Sequence, residues 1–172
     1  MTKANRILDL MSSWQSHLPQ NFENTTVMGL GMNREELRLN PRLDQSLVHD
    51  LNQDPELPFE EETFDTVICS LSIEYLLQPV KVLREVGRIL VPGGLFLISF
   101  SNRWFPPKVI RTWTKLQEFE RTGMVMQWLK EASGFRSLET TSLRELPRPW
   151  DDRYRKMSPF SDPIYAVWGY KK

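Results

Sequence analysis

Apolar residues along this chain fall into short runs separated by polar, glycine- or proline-bearing stretches, and the period of each run predicts its element. Ala4 to Leu10 reads as a short, mostly buried strand ending at Asp9-Leu10, followed by a helical stretch over about Ser13 to His17. Thr26 to Leu30 is a second strand, closed by Gly29, Gly31 and Asn33. Asn33 stands three residues before Glu36, the spacing of a capping box that opens a helix. Leu47-Val48 before Asp50 predicts a third strand, and the β-branched run Asp65 to Leu71 a fourth.

From Pro79 to Leu90 the period changes to that of a helix. Val82, Leu83, Val86, Ile89 and Leu90 share one face, whereas Lys81, Arg84, Glu85 and Arg88 take the other. Pro79 suits a first turn, and Pro92-Gly93-Gly94 predicts a turn after the helix. Leu95 to Phe100 is a continuous apolar strand of the kind covered on both faces. Helical pieces are expected between Pro107 and Ala132, broken near Thr122-Gly123 with the threonine as cap. Two last strands, Ser137 to Leu143 and Ile164 to Tyr170, have no helix between them and therefore pair antiparallel at an edge. The polar stretch Glu145 to Pro163 that joins them is long enough to suggest function or mobility. Alternating strands and helices give an α/β fold, a doubly wound and mostly parallel sheet of seven strands with helices on both faces.

Composition narrows this picture. A chain of 172 residues with 40% hydrophobic content buries one core, so residues 1–172 are read as a single domain. Lysine plus arginine (22) balance aspartate plus glutamate (22), which gives no overall field to recruit nucleic acid. Cys69 is the sole cysteine, so no internal disulfide forms and a structural metal is not expected; the cytoplasm or an organelle stroma is the expected compartment. No apolar run approaches the roughly 20 residues that span a bilayer. Six tryptophans and nine phenylalanines are a heavy aromatic load, expected in the core or in a pocket wall.

Three segments carry a resemblance. Leu57-Pro58-Phe59, then Phe64-Asp65-Thr66-Val67, then Glu85-Val86-Gly87-Arg88-Ile89-Leu90-Val91-Pro92-Gly93-Gly94 resemble, in order and spacing, the small-molecule branch of the class I S-adenosylmethionine-dependent methyltransferases. The resemblance extends from about Ile7 to Tyr170, and it implies that family's Rossmann-like fold with an antiparallel last strand. It further implies a cofactor, S-adenosylmethionine, lying across the carboxyl ends of the first four strands, where open α/β sheets bind ligands. Asp9, Met11 and Ser12 then stand beside its methionine moiety, and Met32-Asn33 beside the ribose. Asp50-Leu51 face the adenine, and Ser70, Leu71 and Ser72 flank the methionine end. Tyr75, Asn102 and Arg103 are the acceptor-side candidates, with Trp104 a stacking surface.

The chain departs from the family pattern in two places. The first loop, Met11-Ser12-Ser13-Trp14, lacks the usual glycines, and Gly31-Met32-Asn33 replaces the acid that binds ribose. The family's N-terminal lid helices are expected to be short or absent. Asn33 is divided between capping and ribose contact; for Arg103 and Trp104 a plain turn and packing role stands beside the acceptor role. His49, His17, Cys69 and the Glu60-Glu61-Glu62 run are read as structural or solvated.

The expected function is transfer of a methyl group to a small-molecule acceptor. The alternative is a non-catalytic member of the fold that serves as a binding or regulatory module. A nicotinamide or flavin enzyme needs a glycine-rich first turn that Met11 to Trp14 does not supply.

Overall fold

The computed structural model describes residues 5–19 and 25–172. Seven strands form one sheet: β1 (Asn5–Leu10), β2 (Thr25–Gly31), β3 (Gln45–Val48), β4 (Phe64–Ser70), β5 (Leu90–Ser101), β6 (Phe135–Leu143) and β7 (Ile164–Lys171). Their order is β3-β2-β1-β4-β5-β7-β6. Strands β1 to β5 are mutually parallel, and β7 runs antiparallel to both β5 and β6. Ala4, the expected start of the first strand, lies outside the described residues.

From β1 the chain steps outward to β2 and β3, then crosses back to β4 and β5. Right-handed crossovers in opposite directions place helices on opposite faces. Helix α1 (Arg34–Leu39) packs beside β2 and β3, whereas α2 (Pro79–Ile89) and α4 (Glu118–Ala132) pack on each other and on the β5 side of the sheet. A short helix, α3 (Arg111–Lys115), precedes α4. The core joins Val82, Leu83 and Val86 of α2 to Phe96, Ile98 and Phe100 of β5 and to fully buried Trp113, whose ring meets Phe100 edge-on at 5.0 Å. Along β5 those buried residues alternate with half-buried Leu95, Leu97 and Ser99, so the opposite face is more thinly covered than an unbroken apolar run predicts.

Three local expectations are corrected. Ser13 to His17 is not helical. Asp9 accepts hydroxyl hydrogen bonds from Ser12 (2.6 Å) and Ser16 (2.5 Å), and Asn40 donates to Ser13 O (2.8 Å) and Ser16 Oγ (3.1 Å). Short polar side chains that bond locally compete with a helix ladder, and here they win. Thr122-Gly123 lies inside α4 rather than at a break. The helix begins at Glu118, where Gln117 and Glu120 form a capping box, and Thr122 bonds back to Glu118 O at 3.2 Å. Pro92-Gly93-Gly94 lies within β5 as an irregularity: pairing with β4 jumps from Phe64↔Leu90 to Thr66↔Leu95, with Gly93 at φ 76°.

The family-like motif between residues 57 and 88 is a clamp. Glu85 accepts from Leu57 N (3.0 Å) and pairs with Arg88 (2.6 Å). Arg88 in turn donates to Phe59 O and Leu57 O, both at 2.9 Å. The loop that leads into β4 is thereby fastened to α2.

Candidate functional site

At the carboxyl ends of β1, β2, β3 and β4 lies a hollow of about 960 Å³. The strand order reverses at β1 and β4, and their connections leave in opposite directions, which opens a crevice there. Every expected cofactor residue lines it: Asp9, Met11, Ser12, Met32, Asn33, Asp50, Leu51, Ser70 and Leu71. Tyr75 lines it as well.

Asp9 is 3% exposed, and burial raises its carboxyl above the ordinary range against the hydrogen bonds of Ser12 and Ser16. Its hydroxyl partners hold the first loop against the sheet, so Asp9 shapes the floor of the hollow. The loop turns at Met11, whose φ of 60° is left-handed. The glycine that the loop lacks has a counterpart on the neighbouring strand: a Cβ on Gly31 would stand 2.3 Å from Ser12 O. Ser12 N also donates to Leu30 O at 2.8 Å, so the loop backbone rests directly on β2.

Asn33 caps α1, with Oδ1 accepting from Glu35 N (3.0 Å) and Glu36 N (3.3 Å). Its amide donates to Glu36 Oε1 at 2.9 Å. Glu36 lines the hollow too and accepts from Ser13 Oγ at 2.6 Å, so a carboxylate stands beyond β2 after all, one helical turn later than expected. The sequence signal was the Asn33-to-Glu36 spacing, although Glu36 turns back to the Asn33 side-chain amide rather than to its backbone N–H.

Asp50 accepts from Asn52 N (2.9 Å) and Gln53 Nε2 (3.0 Å), one bond on each oxygen, which leaves lone pairs free. Asn52 ties this turn to the next wall through Tyr75 O (2.9 Å) and Leu77 N (2.8 Å). Leu71 has a left-handed φ of 53° and donates its N–H to Ser99 O at 2.7 Å, which sets the turn at the end of β4. His49 bonds Asp54 O at 2.9 Å, and both it and His17, read from the sequence as structural or solvated, line the hollow. Cys69 is fully buried, and desolvation pushes its thiol up to about 12.

Asn102 and Arg103 are outside the lining of the hollow. Arg103 is paired with Asp162 at 2.9 Å, and Trp104 is covered by the Arg121 guanidinium at 4.3 Å. The connection to β7 draws Arg103 away from the crevice, and the chain instead sends Phe105 and Lys108 back to it. With Trp14, Asn52 and Leu77 these were not expected, since all lie on irregular segments whose path no periodicity records, whereas Ser72 lines the hollow as expected. Among the aromatics, Trp113 is core and Trp14 is pocket wall, but Trp150 is 83% exposed.

Comparison with known proteins agrees with this architecture. Residues 13–98, half of the chain, match the family described as methyltransferase domain. The chain belongs to that family, the class I methyltransferases, whose methyl donor is S-adenosylmethionine. A malonyl-[acyl-carrier protein] O-methyltransferase from a Marinomonas species is 27% identical over 117 residues, which is 67% of this chain and 41% of that protein. The match thus covers less than half the length of that relative. Among solved structures, a chain from the complex between the Haloferax volcanii Trm112 methyltransferase activator and a methyltransferase superposes with a TM-score of 0.68 at 17% identity, covering 98% of this chain and 83% of that one. An S-adenosylmethionine dependent methyltransferase from Mesorhizobium loti does so with a TM-score of 0.61, also at 17% identity, covering 99% and 94%.

Proposed function

We propose that residues 1–172 form one methyltransferase-like domain that binds S-adenosylmethionine in the hollow and passes its methyl group to a small-molecule acceptor. The observation that carries this reading is the convergence of Asp9, Asp50 and Ser70, from the ends of three different strands, on a single cavity of about 960 Å³. The donor set suits the cofactor: carboxylates for hydroxyl and amino groups, and Leu51, Leu71 and Met32 for the adenosyl faces.

When bound, the cofactor supplies a methyl carbon on a positively charged sulfur. Asp9, Asp50 and Ser70, at the ends of their strands, would hold it with that methyl group presented for in-line displacement by the acceptor. In-line displacement asks the protein mainly for position and exclusion of water. Asp50 would accept from the adenine amino group, and Glu36 from the ribose hydroxyls in place of the missing acid after β2. The serine-fastened loop from Met11 to Ser16 would hold the methionine end. A reducing compartment, cytoplasm or organelle stroma, suits the single thiol.

A non-catalytic binding module is the second reading, favoured by Met11 in a left-handed turn where the family carries glycine. Titration calorimetry with S-adenosylhomocysteine separates the two: micromolar binding supports the enzyme, and no heat at millimolar ligand overturns it. Asp50→Ala should weaken that binding about tenfold, the loss of one charge-assisted hydrogen bond. Unchanged affinity removes Asp50 from the site.

A further inference from the structure

We infer that the acceptor is an amphiphile, an apolar body seated against Trp14, Leu77 and Phe105 with an anionic group paired to Lys108. The inference rests on the reading of the hollow as an S-adenosylmethionine site and specifies what shares that site.

The hollow's two walls differ in chemistry. Glu36, Asp50 and Asn52 stand on the β2 and β3 side, where the polar parts of a nucleoside would lie. The wall built from the turn after β4 and the segment after β5 presents Leu77 (67% exposed) and Phe105 (68%), joined across the mouth by Trp14 (53%). Large apolar side chains scattered singly over a surface are ordinary, but three around one cavity mouth mark a binding surface. At about 960 Å³ the cavity lies at the top of the range for a single-ligand pocket, and its apolar wall stands apart from the polar side that suits the nucleoside.

Lys108 gives the apolar wall its polarity. It lines the hollow and is exposed, and among the described residues its side-chain ammonium has no hydrogen-bond or ion-pair partner. The nearest acid in sequence on the facing turn, Glu74, is 1% exposed and lies behind the wall, outside the lining. An unpaired ammonium beside apolar surface selects a ligand that carries a negative group next to its apolar body.

These groups are also held in place. Tyr75 Oη accepts from Phe105 N (3.0 Å), Ile110 N donates to Glu74 O (3.1 Å), and Lys108 N donates to Phe105 O (3.0 Å). The segment carrying Phe105 and Lys108 is therefore fastened at both ends to the turn after β4, and less ordering remains to be done on binding.

The test is calorimetry on the chain saturated with S-adenosylhomocysteine, using decanoate, decyl phosphate and decanol below their micelle concentrations. At least one anionic probe should bind fivefold or more tightly than decanol, and the better of the two identifies carboxylate or phosphoryl as the group recognised. Lys108→Glu should abolish that preference, and Phe105→Ala should weaken all three probes. Equal affinity for decanoate, decyl phosphate and decanol, or a preference that survives Lys108→Glu, overturns the inference. S-adenosylhomocysteine binding is measured first: its absence defeats the cofactor reading, whereas its presence without discrimination among the probes defeats only the amphiphile.

Discussion

Glu74 stands out among the carboxylates because it is 1% exposed and its Oε2 has no hydrogen-bond partner among the described residues. Burial pushes its carboxyl from the ordinary 4.5 up to about 7, against the opposing pull of Tyr75 and the Arg121 charge. A carboxyl whose folded value exceeds its unfolded one binds more protons when folded, so stability falls as pH rises through the interval between them. The expected loss from pH 4.5 to 7 is at most about 3 kcal/mol. Asp9, shifted in the same direction, adds to it. Glu74→Gln should flatten most of that slope, as read from urea midpoints across the interval, while a slope as steep as in the wild type would show that Glu74 titrates normally. Nothing in the sequence announced this residue: its burial comes from the segment at Ile110 folding over the turn, more than thirty residues away along the chain.

At the scale of elements, the contact between the first loop and β2 is the tightest at the site. Gly31→Ala would drive a methyl group into the Ser12 carbonyl, a backbone atom that moves only if the loop moves. The expected cost is about 1–3 kcal/mol, together with weaker S-adenosylhomocysteine binding, measured by thermal unfolding and calorimetry. Gly29→Ala is the control on the same strand: its Cβ meets the flexible Leu43 side chain, so a smaller loss is expected. Equal losses for the two would show that the loop is free to shift. The strands and α2 were legible because their apolar periods are long or regular, and the α1 cap was legible because Asn33 and Glu36 are local partners. The loop after β1 was not, because its conformation depends on Asn40, which reaches Ser13 and Ser16 from beyond α1. The clamp of Glu85 and Arg88 on the loop at Leu57 was visible as a motif but not as a mechanism, for the same reason of distance along the chain.

Across the whole molecule, the sheet divides its labour at the crevice. The half from β3 to β4 ends in the hollow, and the family resemblance marked Asp9, Asp50 and Ser70 as its rim, in keeping with the rule that ligands gather where strand order reverses. The half from β5 to β6 carries the long connection from β6 to β7, which leaves the sheet at the same end, because Ile164 pairs with Ser101 at the close of β5. That arm has little core of its own: Trp150 and Met157 are more than four-fifths exposed, and a single bridge, Pro147↔Phe160, closes its base. Its anchor is Arg148, buried to 9% exposure and paired with Asp152 (3.1 Å) and Asp162 (3.6 Å), and Asp162 also holds Arg103. A segment fixed by so few contacts opens locally at small cost, so native-state proteolysis should begin there. Trypsin is expected to make its first internal cuts after Arg153, Arg155 or Lys156, which all lie in exposed turns. Arg148→Ala removes the anchor, worth about 1.5–3 kcal/mol for charge-assisted bonds, and should speed those cuts about tenfold or more while leaving cleavage within β1 to β5 unchanged. Fragment masses over time decide the matter: first cuts within the β1 to β5 half, or a rate indifferent to Arg148, would mean that the arm is held by the sheet rather than by its own arginine.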